Sequence, residues 1–593
     1  MNSRVRGSWS RFVPAGYSLA LSLLVLGPLL GPGYLLLRDA VSTPRSYLTD
    51  SALGLGDAAP RAVPQDALIA TLSPLIDGGL IVKAILLTAL WLAGWGAATL
   101  TRYLLHVSTG PQLVAATLAI WNPYVAERLL QGHWSLLTGY AALPWIALHA
   151  TRLRTIPAPF ARTWPVWAAL GGWLAVAGLT PTGSLLAGIM AFLLVGRRNL
   201  LATVALWIAS SAPWLAATVL VGSGAEPSDP AGVAAFAARA EPLLGTLGSL
   251  AGLGGIWNST AVPGSRTTFF ALIGTAILLA LVATGIRSTL RPGATAPGTR
   301  QVLAGLALAA IVIPALGATG WGLSIGEFLV AHVPGAGLLR DTQKFAALAM
   351  PAFVVCAAAG CRAVAEWIAR RGEVRRGHGP VGAVAAVFVV LVLISLPDMA
   401  WGVGGALRPV TYPAGWERVA SKVEGPGDVA VLPGGMFRKF RWSGGAPVLD
   451  PAPRMLPRDV LQTGELPVQG ATVSGEGMRA GQVERLLLRG GSAAELARLG
   501  VGWVLVEGGT PGPVGESKIT LGQLNSVYSD RDLQLYRVPG EITPHDASAA
   551  ARRVSGAAHL VWGVLLCGGI VSALVRFLSR SRTRRRSATR SAA

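Results

Sequence analysis

The sequence predicts a polytopic α-helical membrane protein of about 12 transmembrane helices, with a C-terminal α/β extracytoplasmic domain. Three observations carry this. The 593 residues are 52% hydrophobic and only 13% charged, with a mean hydropathy of +0.52; a soluble domain carries about 25% charged residues. Arg and Lys recur at alternate ends of the apolar segments. From residue 403 to 556 the long apolar segments stop and short strand-like runs replace them.

The apolar segments fall at approximately 17–37, 80–101, 107–123, 135–151, 164–180, 183–196, 200–221, 268–286, 301–319, 343–363, 380–402 and 557–578. A span needs about 17–25 residues. Arg4, Arg6 and Arg11 before the first run resemble a signal peptide. That run is long enough to span, so it reads as an uncleaved first helix. Arg102, Arg152 with Arg154, Arg197 with Arg198, Arg287 with Arg291 and Arg300, the run Arg362 to Arg376, and the tail Arg580 to Arg590 all fall on the side of the N-terminus. The positive-inside rule makes that side cytoplasmic, with both termini there. Retention of cytoplasmic loops thus accounts for the net charge of +21, and no nucleic-acid partner is implied. The basic tail is expected to touch anionic lipid heads.

The outer face then carries the long loops 38–79, 122–134, 222–267, 320–342 and 403–556. Residues 1–402 form the membrane core of about 11 helices, 403–556 the outer domain, and 557–593 the last helix and tail. Ala231 to Leu250 reads as an amphipathic helix lying in the interface. In the outer domain, 427–433 and 501–507 read as buried strands, Ser492 to Leu499 as a helix, and 533–538 as a half-buried strand. The cysteines Cys356, Cys361 and Cys567 lie in apolar segments, without zinc spacing, which excludes a disulfide framework in the loops.

Ionisable groups at helix mouths are costly unless paired or hydrated, which makes them candidates for function. Three groups meet this description on the outer face. The first is Arg38-Asp39, opening a long acidic loop. The second lies in Asn122-Pro123-Tyr124-Val125-Ala126-Glu127-Arg128-Leu129-Leu130-Gln131-Gly132-His133-Trp134. There Asn-Pro ends one helix and starts another, placing Glu127 and Gln131 on one face beside Arg128. The third is Arg340-Asp341-Thr342-Gln343-Lys344-Phe345. Each also has a plain reading, as a local ion pair or an ordinary helix start with snorkelling side chains.

For a polyprenyl-phosphate sugar, phosphate is the leaving group and needs cations rather than a general acid. The acceptor hydroxyl needs a base, and one carboxylate suffices. Asp39 supplies the base, and Arg340, Lys344 and Arg128 the cations. There is no Walker loop, HExxH, GxSxG with partners, or dinucleotide fingerprint in a strand–turn–helix setting. No ligand cluster compels a metal, although a divalent ion bridging Asp39 and a phosphate fits the same chemistry.

The plan of many spans, an acidic first outer loop and a C-terminal outer domain resembles the GT-C superfamily of integral membrane glycosyltransferases. Asn122 to Trp134 resembles a segment of large actinobacterial members, including arabinofuranosyltransferase-like proteins of the cell envelope, and Arg340 to Phe345 resembles a second. The resemblance implies a base in the first outer loop, where Asp39 is the matching position. Many members carry two adjacent acids there; here Asp39 follows Arg38. The expected function is inverting transfer of arabinofuranose or mannose from a polyprenyl-phosphate donor to a cell-wall glycan or glycolipid outside the plasma membrane. Asp39 is the base. Arg38, Glu127, Arg128, Gln131, His133, Trp134, Arg340, Asp341 and Lys344 bind substrate, with Arg340 and Lys344 clamping the phosphate. The alternatives are a transporter or flippase of lipid-linked sugars, and an inactive GT-C-like scaffold for envelope assembly. No internal repeat favours transport.

Overall fold

The computed structural model describes residues 12–57, 59–156, 159–221, 228–291, 296–371, 379–468 and 471–590. The N-terminal arginines Arg4, Arg6 and Arg11, residues 222–227 of the long loop and Arg375–Arg376 lie outside them. Most of the chain before residue 403 is helical. Among the described residues, seven helices are long and apolar enough to cross a membrane: Val13–Leu30, Gly78–Leu105, Arg197–Leu220, Phe270–Leu290, Thr299–Gly317, Thr342–Arg371 and Ala549–Ser572. An eighth counts if Pro380–Ile394 and Pro397–Gly405, bent by 76° across their break, form one span. The bend falls where Pro397 removes a backbone donor.

The expected segments at 107–123, 135–151, 164–180 and 183–196 are helical too, as Thr109–Ile120, Trp134–Thr155, Phe160–Ala177 and Pro181–Val195. The first and last have only 12 and 15 residues, short against the roughly 20 that a bilayer needs. Trp134–Thr155 is buried along nearly its whole length. It packs against Gly78–Leu105 and Pro181–Val195 as the centre of the bundle. The interfacial helix expected over Ala231–Leu250 is instead two short pieces, Gly232–Ala235 and Gly245–Ala251. Pro242 and Gly245, the latter at φ +61, stop a continuous helix in that stretch.

The strand predictions for the C-terminal part hold. A first small hairpin, β1 (Leu36–Leu37) with β2 (Ala40–Val41), precedes it. There follow β3 (Asp428–Leu432), β4 (Phe437–Arg438), β5 (Val448–Leu449), β6 (Leu466–Val468), β7 (Ala471–Val473), β8 (Val501–Glu507), β9 (Asn525–Ser529) and β10 (Leu533–Arg537). The main sheet has the order β3-β8-β10-β9, with β3 and β8 parallel and the other pairs antiparallel. The crossover from β3 to β8 carries helices Met478–Leu488 and Ala493–Arg498, the latter started by a Ser492–Glu495 capping box.

Strand alternation divides the sheet into two cores. Ala430, Leu432 and Val504 face the crossover helices through Val483, Leu487 and Leu496. Val429, Trp503 and Leu505 face a second core around Trp416 and Phe440. Leu36 and Val41 of the hairpin belong to this second core, whereas Ala40, with Leu37 packed against it, belongs to the core of the membrane helices. The hairpin is therefore a seam: one face is held by each part of the molecule. Arg38 and Asp39 are its two-residue tip.

Candidate active site

The tip is fixed from three sides. Leu449 N–H donates to Arg38 O at 2.7 Å, tying the hairpin to β5. Asp39 N–H donates to Gln131 O at 3.1 Å, tying it to helix Pro123–Gln131. The Arg38 guanidinium donates to Leu130 O at 2.5 Å and to the carbonyl oxygen of Thr260. These bonds hold Arg38 at φ +49, in the left-handed region that non-glycine residues seldom occupy. Arg38 is buried and spent on backbone carbonyls, so it is a tether and not the substrate contact that its sequence position suggested.

Helix Pro123–Gln131 follows from its sequence. Asn122 Oδ1 accepts from Val125 N–H at 3.1 Å as N-cap, and Pro123 takes the first helical position. At the other end Gly132 N–H donates to Leu129 O and His133 N–H to Arg128 O, a Schellman closure. Gly132 has φ +87, and a Cβ there would meet the Ala40 backbone nitrogen and stand 2.5 Å from Leu37 O. The closure lets helix and hairpin touch and turns His133 back over Arg128.

A continuous network results. Asp39 Oδ2 accepts from Gln131 Nε2 at 3.1 Å and lies 3.0 Å from His133 Nε2. His133 Nδ1 is 3.0 Å from Arg128 Nη1. An arginine nitrogen only donates, so Nδ1 must accept, and Nε2 carries the proton that it gives to Asp39. Arg128 is bidentate to Asp341, at 2.9 and 3.2 Å, and also bonds the Gln343 side-chain carbonyl. Gln343 Nε2 donates to Glu127 Oε2 at 3.2 Å, and Glu127 accepts from Gly255 and Ile256 N–H at 3.1 Å each. Asn258 Nδ2 donates to Gln131 Oε1 at 2.8 Å. Lys344 Nζ stands 3.7 Å from Asp341 Oδ2.

The electrostatics follow from burial against pairing. Burial disfavours the Asp39 carboxylate, but His133, Gln131 and the Lys344 charge more than offset it and hold Asp39 below the usual carboxylate range. Burial, joined by the Arg128 and Lys344 charges, holds His133 below its ordinary value despite its bond to Asp39. Asp341 is brought down to about 2, burial being overcome by Arg128 and Lys344. Burial pushes Glu127 up to about 8, with the Glu241 carboxylate adding to the shift. The Asp39 side chain is 33% exposed. Among the described residues, only its Oδ2 is hydrogen-bonded. It is an ionised carboxylate with one oxygen anchored and one free.

The structure thus brings Asp39, Gln131, His133, Arg128, Asp341, Glu127 and Lys344 together, but it gives them unequal parts. Arg128 and Glu127 are wholly buried and committed to protein partners, so neither is placed to grip a substrate. Trp134 is buried in the apolar core of the bundle. Arg340 parts from Lys344: its side chain turns toward Glu476 and the Phe236 ring. The reason is local. Asp341, at φ −85 and ψ 79, lies outside any helix, and the chain continues from Thr342 as a 3-10 helix, so positions 340 and 344 do not share an α-helical face. The expected clamp of Arg340 with Lys344 is therefore divided. Gln343, Asn258 and the backbone of Gly254–Ile256 escaped the sequence reading. Gln343 stands inside a segment already singled out, whereas the 254–258 loop carries no charge to mark it. Among the described residues no group of three or more His, Cys, Asp or Glu is arranged to hold a metal. The cavity of about 750 Å³ beside Trp164, Trp167 and Leu565 touches none of these residues.

Among solved structures, the chain matches the cryo-EM structure of arabinofuranosyltransferase AftD from mycobacteria, with a TM-score of 0.52 over 90% of this chain. The chain shares the fold of that arabinofuranosyltransferase structure. Sequence identity in the match is 16%, and the aligned region is 42% of the AftD chain, so the present protein spans less than half of that structure. No family model matches the sequence, and no curated protein matches it. The shared fold agrees with the apolar helices in making this a membrane protein.

Proposed function

We propose that this protein is a membrane glycosyltransferase that moves a sugar from a polyprenyl-phosphate donor to an envelope glycan on the outer face of the plasma membrane. The observation that carries this is the state of Asp39. It is ionised, rigidly anchored through Oδ2 by His133 and Gln131, and open at the other oxygen. That is what the removal of a proton from an acceptor hydroxyl requires. In an inverting displacement Asp39 takes the hydroxyl proton as the acceptor oxygen attacks the anomeric carbon, and the phosphate departs from the opposite face. Neutral His133 keeps its donor bond throughout, and Arg128 holds it in that tautomer. Lys344 supplies positive charge beside the reacting groups. Arabinofuranose is the first sugar to test and mannose the second, given the fold shared with an arabinofuranosyltransferase.

The test is transfer of radiolabelled sugar from polyprenyl-phosphate arabinofuranose, and separately mannose, to a crude envelope acceptor by the full chain in lipid. Transfer that is absent when Asp39 is Asn, at equal expression, supports the reading. Equal transfer by Asp39→Asn removes Asp39 from the base role. Absence of transfer from both donors would shift weight to a flippase or an inactive scaffold, which a lipid-flipping assay separates.

A further inference from the structure

Arg340 is placed in a way that the network around Asp39 does not explain. Its side chain is only 10% exposed. Its Nε donates to Gly337 O at 3.2 Å, and its Cζ lies 5.5 Å from the Phe236 ring centre. Among the described residues its two Nη atoms make no hydrogen bond, and the nearest carboxylate oxygen, Glu476 Oε1, is 3.8 Å away, beyond hydrogen-bond reach. The two Nη atoms offer a planar fork of idle donors, which matches a two-pronged acceptor such as a phosphate. Gly232 leaves the room for this fork, since a Cβ there would stand 2.8 Å from Nη1.

A second cation faces the same carboxylate. Arg61, from the first long loop, pairs with Glu476 Oε2 at 3.0 Å and is 51% exposed. Glu476 is itself buried, its Oε1 accepting from Ser228 Oγ at 2.7 Å. Burial and the Arg61 charge both press on Arg340, with Glu476 and Asp229 opposing. Lys344 also lies within the electrostatic reach of Arg61.

We propose that Arg340 and Arg61 form a phosphate seat, and that Glu476 is the internal carboxylate that an incoming phosphate mono- or diester displaces. Arg340 takes two phosphate oxygens through its free fork, and Arg61 swings from Glu476 to a third. Glu476 keeps its bond to Ser228. This rests on the glycosyltransferase reading for the role of the seat as holder of the leaving group, not for its existence. It also assigns a job to the C-terminal unit, which contributes the displaced carboxylate.

The test is equilibrium binding by the full chain in lipid nanodiscs, with farnesyl phosphate, farnesol and inorganic phosphate as probes. Wild type, Arg340→Ala, Arg340→Lys and Glu476→Gln are compared, with a melting curve for each. Farnesyl phosphate should bind and farnesol should not. Arg340→Ala should weaken binding at least ~10-fold and Arg340→Lys should recover only part, while Glu476→Gln should tighten it ~3- to 10-fold. Binding that ignores Arg340 would overturn the seat. Unchanged or weaker binding by Glu476→Gln would overturn the displacement. Arg340-dependent binding of inorganic phosphate equal to that of farnesyl phosphate would keep the seat and overturn the lipid-borne source. Intact binding without sugar transfer would sink the glycosyltransferase reading and leave the seat standing.

Discussion

Asp39 is held by His133, whose own protonation is set by burial and by nearby charge, and this sets the pH behaviour. His133 has a folded-state value below its ordinary one. The neutral form is thus favoured by folding: that contribution is complete above about pH 6.5, the unfolded value, and is lost as pH falls through the lower folded value. Asp39 and Asp341 are also depressed, so their contributions are present above about pH 4 and lost as pH falls through their folded values, about 2 for Asp341. Transfer should therefore be level from about pH 7 to 8, with an acid limb whose midpoint lies below 6.5 and is set by His133. A pH–rate profile of the full chain checks this, and an acid limb at or above 6.5 would contradict it. Asp341→Asn should be destabilising rather than merely inactivating. It would leave Arg128, wholly buried, without its bidentate partner. Loss of one member of a buried pair costs about 3–5 kcal/mol. A melting curve in lipid should show a large drop, and a near-native curve would count against a structural role for the pair.

At the scale of elements, the close contact is between the end of helix Pro123–Gln131 and the hairpin. Gly132→Ala should push the two apart, because any Cβ collides with the hairpin backbone at a left-handed φ. Expression should survive and transfer should fall by an order of magnitude or more, since a misplacement of about 1 Å can cost 10²-fold. Activity near wild type would show that Asp39 does not depend on this contact. The elements that build the site were legible in the sequence to differing degrees. Asn-Pro at 122–123 marked the start of the helix, because caps are local chemistry. β3, β8 and β10 were legible because short apolar runs bounded by Gly and Pro have few other uses. The hairpin at Leu36–Val41 was not. Its pairs are two residues long, and their burial depends on β5, more than 400 residues later. The divergence of Arg340 from Lys344 was equally hidden, since a 3-10 start looks like an α-helical one in sequence. The number of spans was hidden in the sequence for a third reason. Several apolar helices are buried inside the bundle, where hydropathy alone does not separate a span from a core helix.

For the whole molecule, the arrangement ties the C-terminal unit to the candidate active site. Arg438, in β4, is buried between Glu507 at the end of β8 and Asp450 beyond β5, the latter at 3.1 Å. β5 in turn bonds the backbone of Arg38. Sheet, ion triad, hairpin and Asp39 form one mechanical chain. Arg438→Ala would leave two carboxylates buried without their cation, and the general cost of such a loss is about 3–5 kcal/mol. It should lower transfer although the residue is on no membrane helix, and a melting curve should show the C-terminal unit loosening first. Normal activity in this variant would separate the unit from catalysis. The central claim remains that Asp39 is a base prepared by its surroundings. Its most direct test is kcat and KM for donor with Asp39→Asn. The account predicts a fall in kcat of about 10²- to 10⁴-fold, the usual worth of a general base, with KM changed only severalfold. A kcat near wild type, or a loss confined to KM, would contradict it.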